Sequence, residues 1–493
     1  MRAEWVKFRT VRGWVIAVVV AAAAVAGFGI AGGDQGTCYG NSCAQLTGPG
    51  GEAVSDSFYF VHVRLGDGVL TARVASLTSV ASARDRQQRV LVPWAKAGII
   101  VKAGLTPGSP YAAMMVTGGH GVRMQYDFTG DIAGPAASPA GDWLRLVRTG
   151  ATITGYASSD GVRWTRVAAV TVPGLPAVVQ AGLFVTSPQY TQTSMGVASI
   201  SGSSSQSTAV FSDVTLTGAL TGARSQAWDR AWDGTNVGGP SGGAPGPATG
   251  YSRDGAGFAI TGSGDIAPVT YGPSGIGATL AQTLSGVFVA LVILTVIAST
   301  FVTAEYRRGL IRVTLAASPR RGRVLAAKAL VAGAVAFAAG LAGTLAAVLA
   351  GQRVLREHGV YLPPVTALTQ ARVIAGTAAV IAVCAVLAVA IGILLRRGAA
   401  AVATVIALIV APYVLTVPIP VLPLAAADWL MRLTPAAAFA VEQTVTQYPQ
   451  VDEVYAPAYG YFPLAPWAGF AVLCAWALAA LAIGYVAFNR RDA

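Results

Sequence analysis

Six stretches of this chain stay apolar for roughly the 20 residues that a helix needs to cross a bilayer core. They lie at about 13–33, 280–303, 329–350, 373–395, 398–418 and 466–488. Their number excludes an ordinary soluble fold, and the composition agrees. Hydrophobic residues make up 54% of the 493 positions and charged residues 11%, against about a quarter charged in soluble domains. The expected architecture is a mixed membrane protein: a six-helix transmembrane bundle plus an all-β sandwich inserted between spans 1 and 2.

With a cytoplasmic N-terminus, six crossings place residues 34–279 outside the cell and return the C-terminus inside. Charge placement tests this topology independently. The inner segments hold Arg2, Lys7, Arg9, Arg12, seven basic residues within 304–328, Arg396, Arg397, Arg490 and Arg491, against Glu4, Glu305 and Asp492. Their balance equals +12, the net charge of the whole chain. The basic character is thus the positive-inside bias of a plasma-membrane protein. Nucleic-acid binding is not expected, for no basic patch carries interleaved aromatics.

Four units follow: an interfacial helix and span 1 at 1–33, an extracytoplasmic β-sandwich at 34–218, a Gly/Pro-rich connector with short strands at 219–279, and spans 2–6 at 280–493 with an inner loop at 304–328. Basic residues followed by WVIAVVVAAAAVAG also fit a secretory signal, with Ala24, Val25 and Ala26 as the cleavage site. An uncleaved span is the stronger reading, because the apolar run continues to Gly33. Cys38 and Cys43 fall just outside span 1, where a disulfide is allowed. Cys384 and Cys474 lie within spans and suit packing.

Between 54 and 218, short alternating runs broken by Gly, Pro and Asp fit half-buried strands. Among them are GVLTARVASL, AKAGIIVKAG, YAAMMVTG, DWLRLVRTG and VQAGLFVTS. Asp160-Gly161 between TITGYAS and VRWTRV suggests a type I′ hairpin. WLRLVRTGATITGYASSDGVRWT at 143–165 resembles the concanavalin-like or laminin-G-like jelly-roll domains of carbohydrate-associated bacterial proteins. Tyr126, Trp143, Tyr156 and Trp164 are candidates for a glycan platform, although core and hairpin packing is the stronger reading for such large rings. Asp127 and Asp131 alone make a weak calcium signal. The GPSGG at 239–243 matches a nucleophile elbow only formally, since it sits in a flexible connector rather than between strand and helix.

The inner loop AEYRRGLIRVTLAASPRRGRVLAAK, at 304–328, carries more charge than orientation requires. As a helix, AEYRRGLIRVTL would set Tyr306, Leu310 and Val313 on one face and Arg308 and Arg312 on another. Pro319 would then break the chain before RRGRVLAAK leads into span 3.

This loop resembles the one after the second span of type 2 ABC transporter permeases, particularly actinobacterial ones. EWVKFRTVR at 4–12, RLTPAAAF at 432–439 and PWAGFAVLCAW at 466–476 are similar to that family's membrane-surface helix, last outer loop and last span. The resemblance implies a coupling helix that fits a groove on a separate cytoplasmic ABC ATPase subunit. Carried over, Glu305, Arg307, Arg308, Gly309 and Arg312 would organise the loop, with Ser318, Pro319, Arg320, Arg321 and Arg323 at the docking surface. It implies too a homodimer or paired permease, and ATP held by the partner with no cofactor on this chain. The other reading of these arginines is contact with anionic lipid headgroups.

No enzyme activity is expected. None of the four lysines, Lys7, Lys96, Lys102 and Lys328, stands in a phosphate-loop context. His62, His120 and His358 form no metal motif, and no acid falls within the six stretches. The resemblance therefore implies the permease of an ATP-driven exporter, and the apolar, uncharged spans point to hydrophobic or amphipathic cargo. The alternative is a membrane-anchored carbohydrate-binding or cell-wall sensor that does not transport.

Overall fold

The computed structural model describes residues 2–34, 45–83, 86–194, 199–218, 232–238, 248–254, 257–271, 279–307, 309–317, 320–416 and 422–490. Helices α1 (Arg2–Thr10) and α2 (Arg12–Asp34) come first. After the strands follow α3 (Val287–Arg307), α4 (Leu310–Ala317), α5 (Arg321–Glu357), α6 (Ala367–Leu395), α7 (Gly398–Thr416), α8 (Leu424–Leu433) and α9 (Pro466–Arg490). Among the described residues, six helical stretches are long and apolar enough to cross a membrane, at the positions the six apolar runs indicated.

The strands between α2 and α3 begin with β1 (Val54–Asp56), β2 (Phe58–Leu65), β3 (Gly68–Ala83), β4 (Arg86–Arg89), β5 (Lys96–Lys102), β6 (Tyr111–Thr117) and β7 (Val122–Tyr126). Next are β8 (Gly130–Ala133), β9 (Asp142–Thr149), β10 (Thr152–Ser158), β11 (Thr165–Thr171), β12 (Val179–Thr186), β13 (Tyr190–Ser194) and β14 (Ser199–Ser203). The last are β15 (Ser205–Gly218), β16 (Asp233–Val237), β17 (Gly250–Asp254), β18 (Gly257–Gly262) and β19 (Ile266–Pro268).

Two large antiparallel sheets form the sandwich. One has the order β11-β10-β9-β3-β15-β18-β17, with β4 on β3; the other runs β16-β2-β12-β5-β6-β7-β8. Leu70, Leu144, Ile153, Ile99, Met114 and Leu183 fill the space between them. A second core, with Phe58, Phe60, Ile100, Tyr111, Phe128 and Phe184, covers the opposite face of the seven-stranded sheet. That sheet is therefore largely buried on both sides, and every residue of β2 (FYFVHVRL) except Arg64 is buried.

Beyond the second core lies the paired β1 and β19, held by two buried lysines. Lys102 meets Asp56 at 2.7 Å with both side chains fully buried, and Lys96 meets Asp265 at 2.7 Å. The next layer is the segment between 443 and 465. Gln450 donates to the carbonyls of Phe128 and Thr129 at 3.3 and 3.2 Å, and Tyr461 accepts from the Tyr271 amide at 3.0 Å. The seven-stranded sheet thus looks towards the helices, and the eight-stranded sheet looks away.

The short strands expected within 219–279 join the main sheets: β16 pairs with β2, β18 with β15 and β17 with β18. Two expectations change. Asp160-Gly161 does not make a two-residue turn, because β10 ends at Ser158 and β11 opens at Thr165. Instead the Asp160 carboxylate accepts from the Val162 and Arg163 amides, which with Arg163 and Ser158 side chains holds it well below the usual carboxylate range. Finally, the 304–315 stretch is not one helix. α3 continues to Arg307, and Gly309, at φ +67, turns the chain before α4 begins.

Candidate functional site

Four helices meet at the end of the bundle opposite the sandwich. Lys328 of α5 lies 2.8 Å from both Glu4 of α1 and Glu305 of α3. Lys7 of α1 completes the ring, 3.0 Å from Glu305 and 3.2 Å from Glu4, and donates to Thr314 Oγ1 of α4 at 3.3 Å. Glu4, Glu305 and Lys328 are buried. Each charge faces two of opposite sign, the condition under which burial of ions is tolerated. Phe8, Trp14 and Phe301 stack beside the ring with centroids 5.5–5.7 Å apart, and Lys328 lies 4.6 Å from the Phe301 ring centre.

The ring borders a groove of about 730 Å³ lined by Glu4, Lys7, Trp14, Glu305, Val313 and Arg323 among others. Ile311 anchors α4 in the core, while Leu310 and Val313 are 47% and 66% exposed. Tyr306, expected beside them, belongs to α3 and lies under the Arg396 guanidinium at 5.2 Å.

Of the expected coupling residues, Glu305 is buried in the ring and Arg321 is tied down. The Arg321 guanidinium donates to the carbonyls of Phe488 and, at 3.3 Å, Asn489, so it caps the end of α9. Arg307, Gly309, Arg320 and Arg323 are exposed around α4. Arg308, Ser318, Pro319 and the Arg312 side chain lie outside the described residues, as do Cys38 and Cys43. Glu4, Lys7 and Lys328 were not foreseen as members. Their signal was the rarity of lysine: all four lysines of the chain form ion pairs.

Burial pushes the Glu4 carboxyl up, but Lys328 and Lys7 outweigh it and leave it below its ordinary 4.5. Burial pushes Lys7 down, yet Glu305 and Glu4 outweigh that and leave it raised above 10.5. Glu4 therefore favours the docked α1 above about pH 4.5, an advantage lost as the pH falls through its lowered value. Lys7 contributes below 10.5, and its share is lost as the pH rises through its raised value. Spin labels at the exposed Val6 and Leu310 should keep one sharp distance between about pH 6 and 9 and broaden as the pH falls through the lowered Glu4 value.

At the sandwich end, α8 and the 3-10 segment Pro435–Glu442 form an elbow bent by 99°. The sequence reading left this as an outer loop. Every residue from Pro435 to Glu442 is buried. Glu442 accepts from Thr377 Oγ1 of α6 at 3.2 Å, Phe439 stacks with Phe288 and Tyr413, and Trp476 of α9 donates to Leu433 O at 2.9 Å. Glu442, outside the six apolar stretches in sequence, is thus an acid packed within the helical bundle.

The aromatic candidates separate. Tyr126, on β7, packs against the core between the sheets. Trp143 and Tyr156 alternate with the inward Leu144 and Ala157 and so face away from that core, joined by Trp164 beneath the Arg145 guanidinium at 3.7 Å. Asp131 is engaged by Arg123 and Gln125, and Asp127 accepts from the Tyr111 amide.

Curated proteins yield no match. Among solved structures the chain is similar to a functionally unknown protein from Saccharomyces cerevisiae, at 18% identity and TM-score 0.20, over 36% of this chain and 85% of that one. It is similar to SCP-B, an Eqolisin-family peptidase in complex with a tripeptide, at 11% identity and TM-score 0.24, over 42% and 98%. A third is the GH43 protein BlXynB of Bacillus licheniformis, at 11% identity and TM-score 0.17, over 24% of each chain. The family model for ABC-2 family transporter proteins matches residues 159–493, well over half of the chain, including the elbow, α4 and the Glu305 and Lys328 half of the ion-pair ring. The chain belongs to the ABC-2 transporter family, as a multi-pass membrane permease of an ABC transporter.

Proposed function

We propose that this permease is the membrane subunit of an ATP-driven exporter, with the ring end in the cytoplasm and the sandwich, a jelly-roll-like domain inserted between spans 1 and 2, at the exit side. The observation that carries this reading is the ring itself. It joins α1, α3 and α5 and holds α4 through Thr314, so a force on α4 reaches two spans without passing through a flexible loop. Leu310 and Val313, rimmed by Arg307, Arg320 and Arg323, are the surface for the ATPase subunit. An apolar centre with a charged rim is the usual anatomy of a protein interface.

ATP binding closes the ATPases, moves α4 and switches the spans from inward to outward access. The helices are apolar along most of their length, which suits hydrophobic or amphipathic cargo. A second permease copy pairs with this one through lipid-facing helices rich in small residues.

Affinity purification in mild detergent tests the docking surface. The parent chain should retain its ATPase, while Leu310→Asp with Val313→Asp should reduce recovery at least tenfold without changing membrane insertion. Undiminished recovery would place the ATPase elsewhere.

A further inference from the structure

The outward face of the eight-stranded sheet carries a row that the transport reading does not use. In register across five strands stand Arg166 on β11, Tyr156 on β10, Arg145 on β9, Thr71 on β3 and Thr215 on β15. At about 4.8 Å per strand the row spans about 19 Å. Beside it, Trp143 on β9 stands opposite Arg73 on β3. Inward residues of the same strands, Leu70, Ala72, Leu144, Leu146 and Ile153, fill the sandwich core, so the row points away from that core and from the helices.

The arginines are placed rather than scattered. Arg145 lies 3.7 Å from the Trp164 ring centre and donates to Thr71 Oγ1 at 3.3 Å, while Arg73 donates to Ala140 O at 2.7 Å. Gly161, at φ +74, brings the β10–β11 turn so close to Trp143 that a Cβ there would lie 2.8 Å from the indole. Trp143 and Trp164 are therefore backing, and Tyr156 stands between two guanidiniums.

Among the described residues, the positions of β3, β9, β10 and β11 that share this face hold Arg73, Arg145 and Arg166 and no aspartate or glutamate. Of the acids nearby in sequence, Asp160 is engaged by Arg163 and its own turn, Asp142 accepts from the Ser138 amide, and Asp213 of β15, two residues from Thr215, accepts from Ser212 Oγ. Three arginines against the single exposed acid of β15 leave a net positive surface around an aromatic ring. Guanidiniums pair with carboxylate or phosphate oxygens, and an aromatic face suits the apolar face of a sugar.

We propose that this face binds an acidic glycan, a sugar polymer whose carboxylates or phosphodiesters pair with Arg73, Arg145 and Arg166 while a sugar ring packs on Tyr156. The inference rests on the proposed topology only for where that polymer lies, in the envelope outside the membrane. It amends the aromatic platform expected from sequence by removing Tyr126 and adding the arginines, which change the ligand from neutral to anionic.

The test uses the full chain in nanodiscs of neutral phosphatidylcholine. Binding is measured to polygalacturonate, to poly(glycerol phosphate) and to dextran, the first two distinguishing a uronate from a phosphate source. At least one anionic polymer should bind and dextran should not. Arg145→Ala with Arg166→Ala should weaken binding at least tenfold, and Tyr156→Ala at least threefold. Arg166→Glu, an exposed edge-strand change that leaves the core untouched, should abolish it. Binding of neither acidic polymer, equal binding of dextran, or unchanged binding by Arg166→Glu would overturn the proposal. Because the purified chain presents both ends, none of these results depends on membrane orientation.

Discussion

Replacing Glu305 with alanine should leave the chain inserted and its ATPase bound, yet lower transport more than tenfold. The substitution removes the carboxylate shared by Lys7 and Lys328. Both lysines then face Glu4 alone, in a site where Lys328 is almost fully buried. Breaking a buried ion cluster by removing one partner costs about 3–5 kcal/mol. Even the lower figure shifts a local equilibrium more than a hundredfold. α1 and α4 should then come away from α3 and α5, so that hydrolysis continues without moving the spans. Glu305→Gln, which keeps shape and an acceptor but no charge, should fall between. ATPase activity and transport measured on the same vesicles separate the outcomes: a parallel loss of both would mean loss of folding, and unchanged transport would mean that the ring carries no force.

Gly469→Ala should abolish transport while leaving the ATPase bound. Gly469 is the notch in α9 that receives the elbow, and a Cβ there would lie 2.1 Å from Ala437 O and 2.9 Å from Ala440 Cβ. In an open helix the same change would stabilise by up to about 1 kcal/mol. Here overpacking costs about 1–3 kcal/mol or more, because a backbone carbonyl inside a buried 3-10 turn has nowhere to go. Gly27→Ala supplies the control, since its Cβ would meet nothing within 4 Å. The elbow continues into the segment that holds Phe128 and Thr129 through Gln450, so unseating it should also loosen the sandwich. Faster proteolysis between 443 and 465 in the Gly469 variant, and not in the Gly27 variant, is the expected signature.

How much of this could be read beforehand follows from local signal strength. The six long apolar stretches declared themselves, because a bilayer demands one uninterrupted run per crossing. The elbow did not: α8 and Pro435–Glu442 are each too short to span, and Pro435 divides them. β2 opens with the uninterrupted apolar run Phe58–Val61, because both of its faces are covered there. Short strands were expected in the Gly-rich stretch that holds β16 to β18, but not their places in the sheets, because their partners β2 and β15 are distant in the chain. The arginines of 304–328 were visible, but their roles differ with neighbours that no local window contains. Arg321 finds the end of α9, and Glu305 finds Lys328 and the interfacial helix. Rarity was the unused clue, since a chain with so few lysines places each against a carboxylate.

The central claim is that the ring end faces the cytoplasm and is gripped there through α4. Its most direct test is a single cysteine at the exposed Val313, in a chain whose own cysteines are replaced by serine, treated with a membrane-impermeant maleimide. No labelling is expected on intact cells, full labelling in inside-out vesicles stripped of the ATPase, and protection when the ATPase is restored. Labelling on intact cells would contradict it.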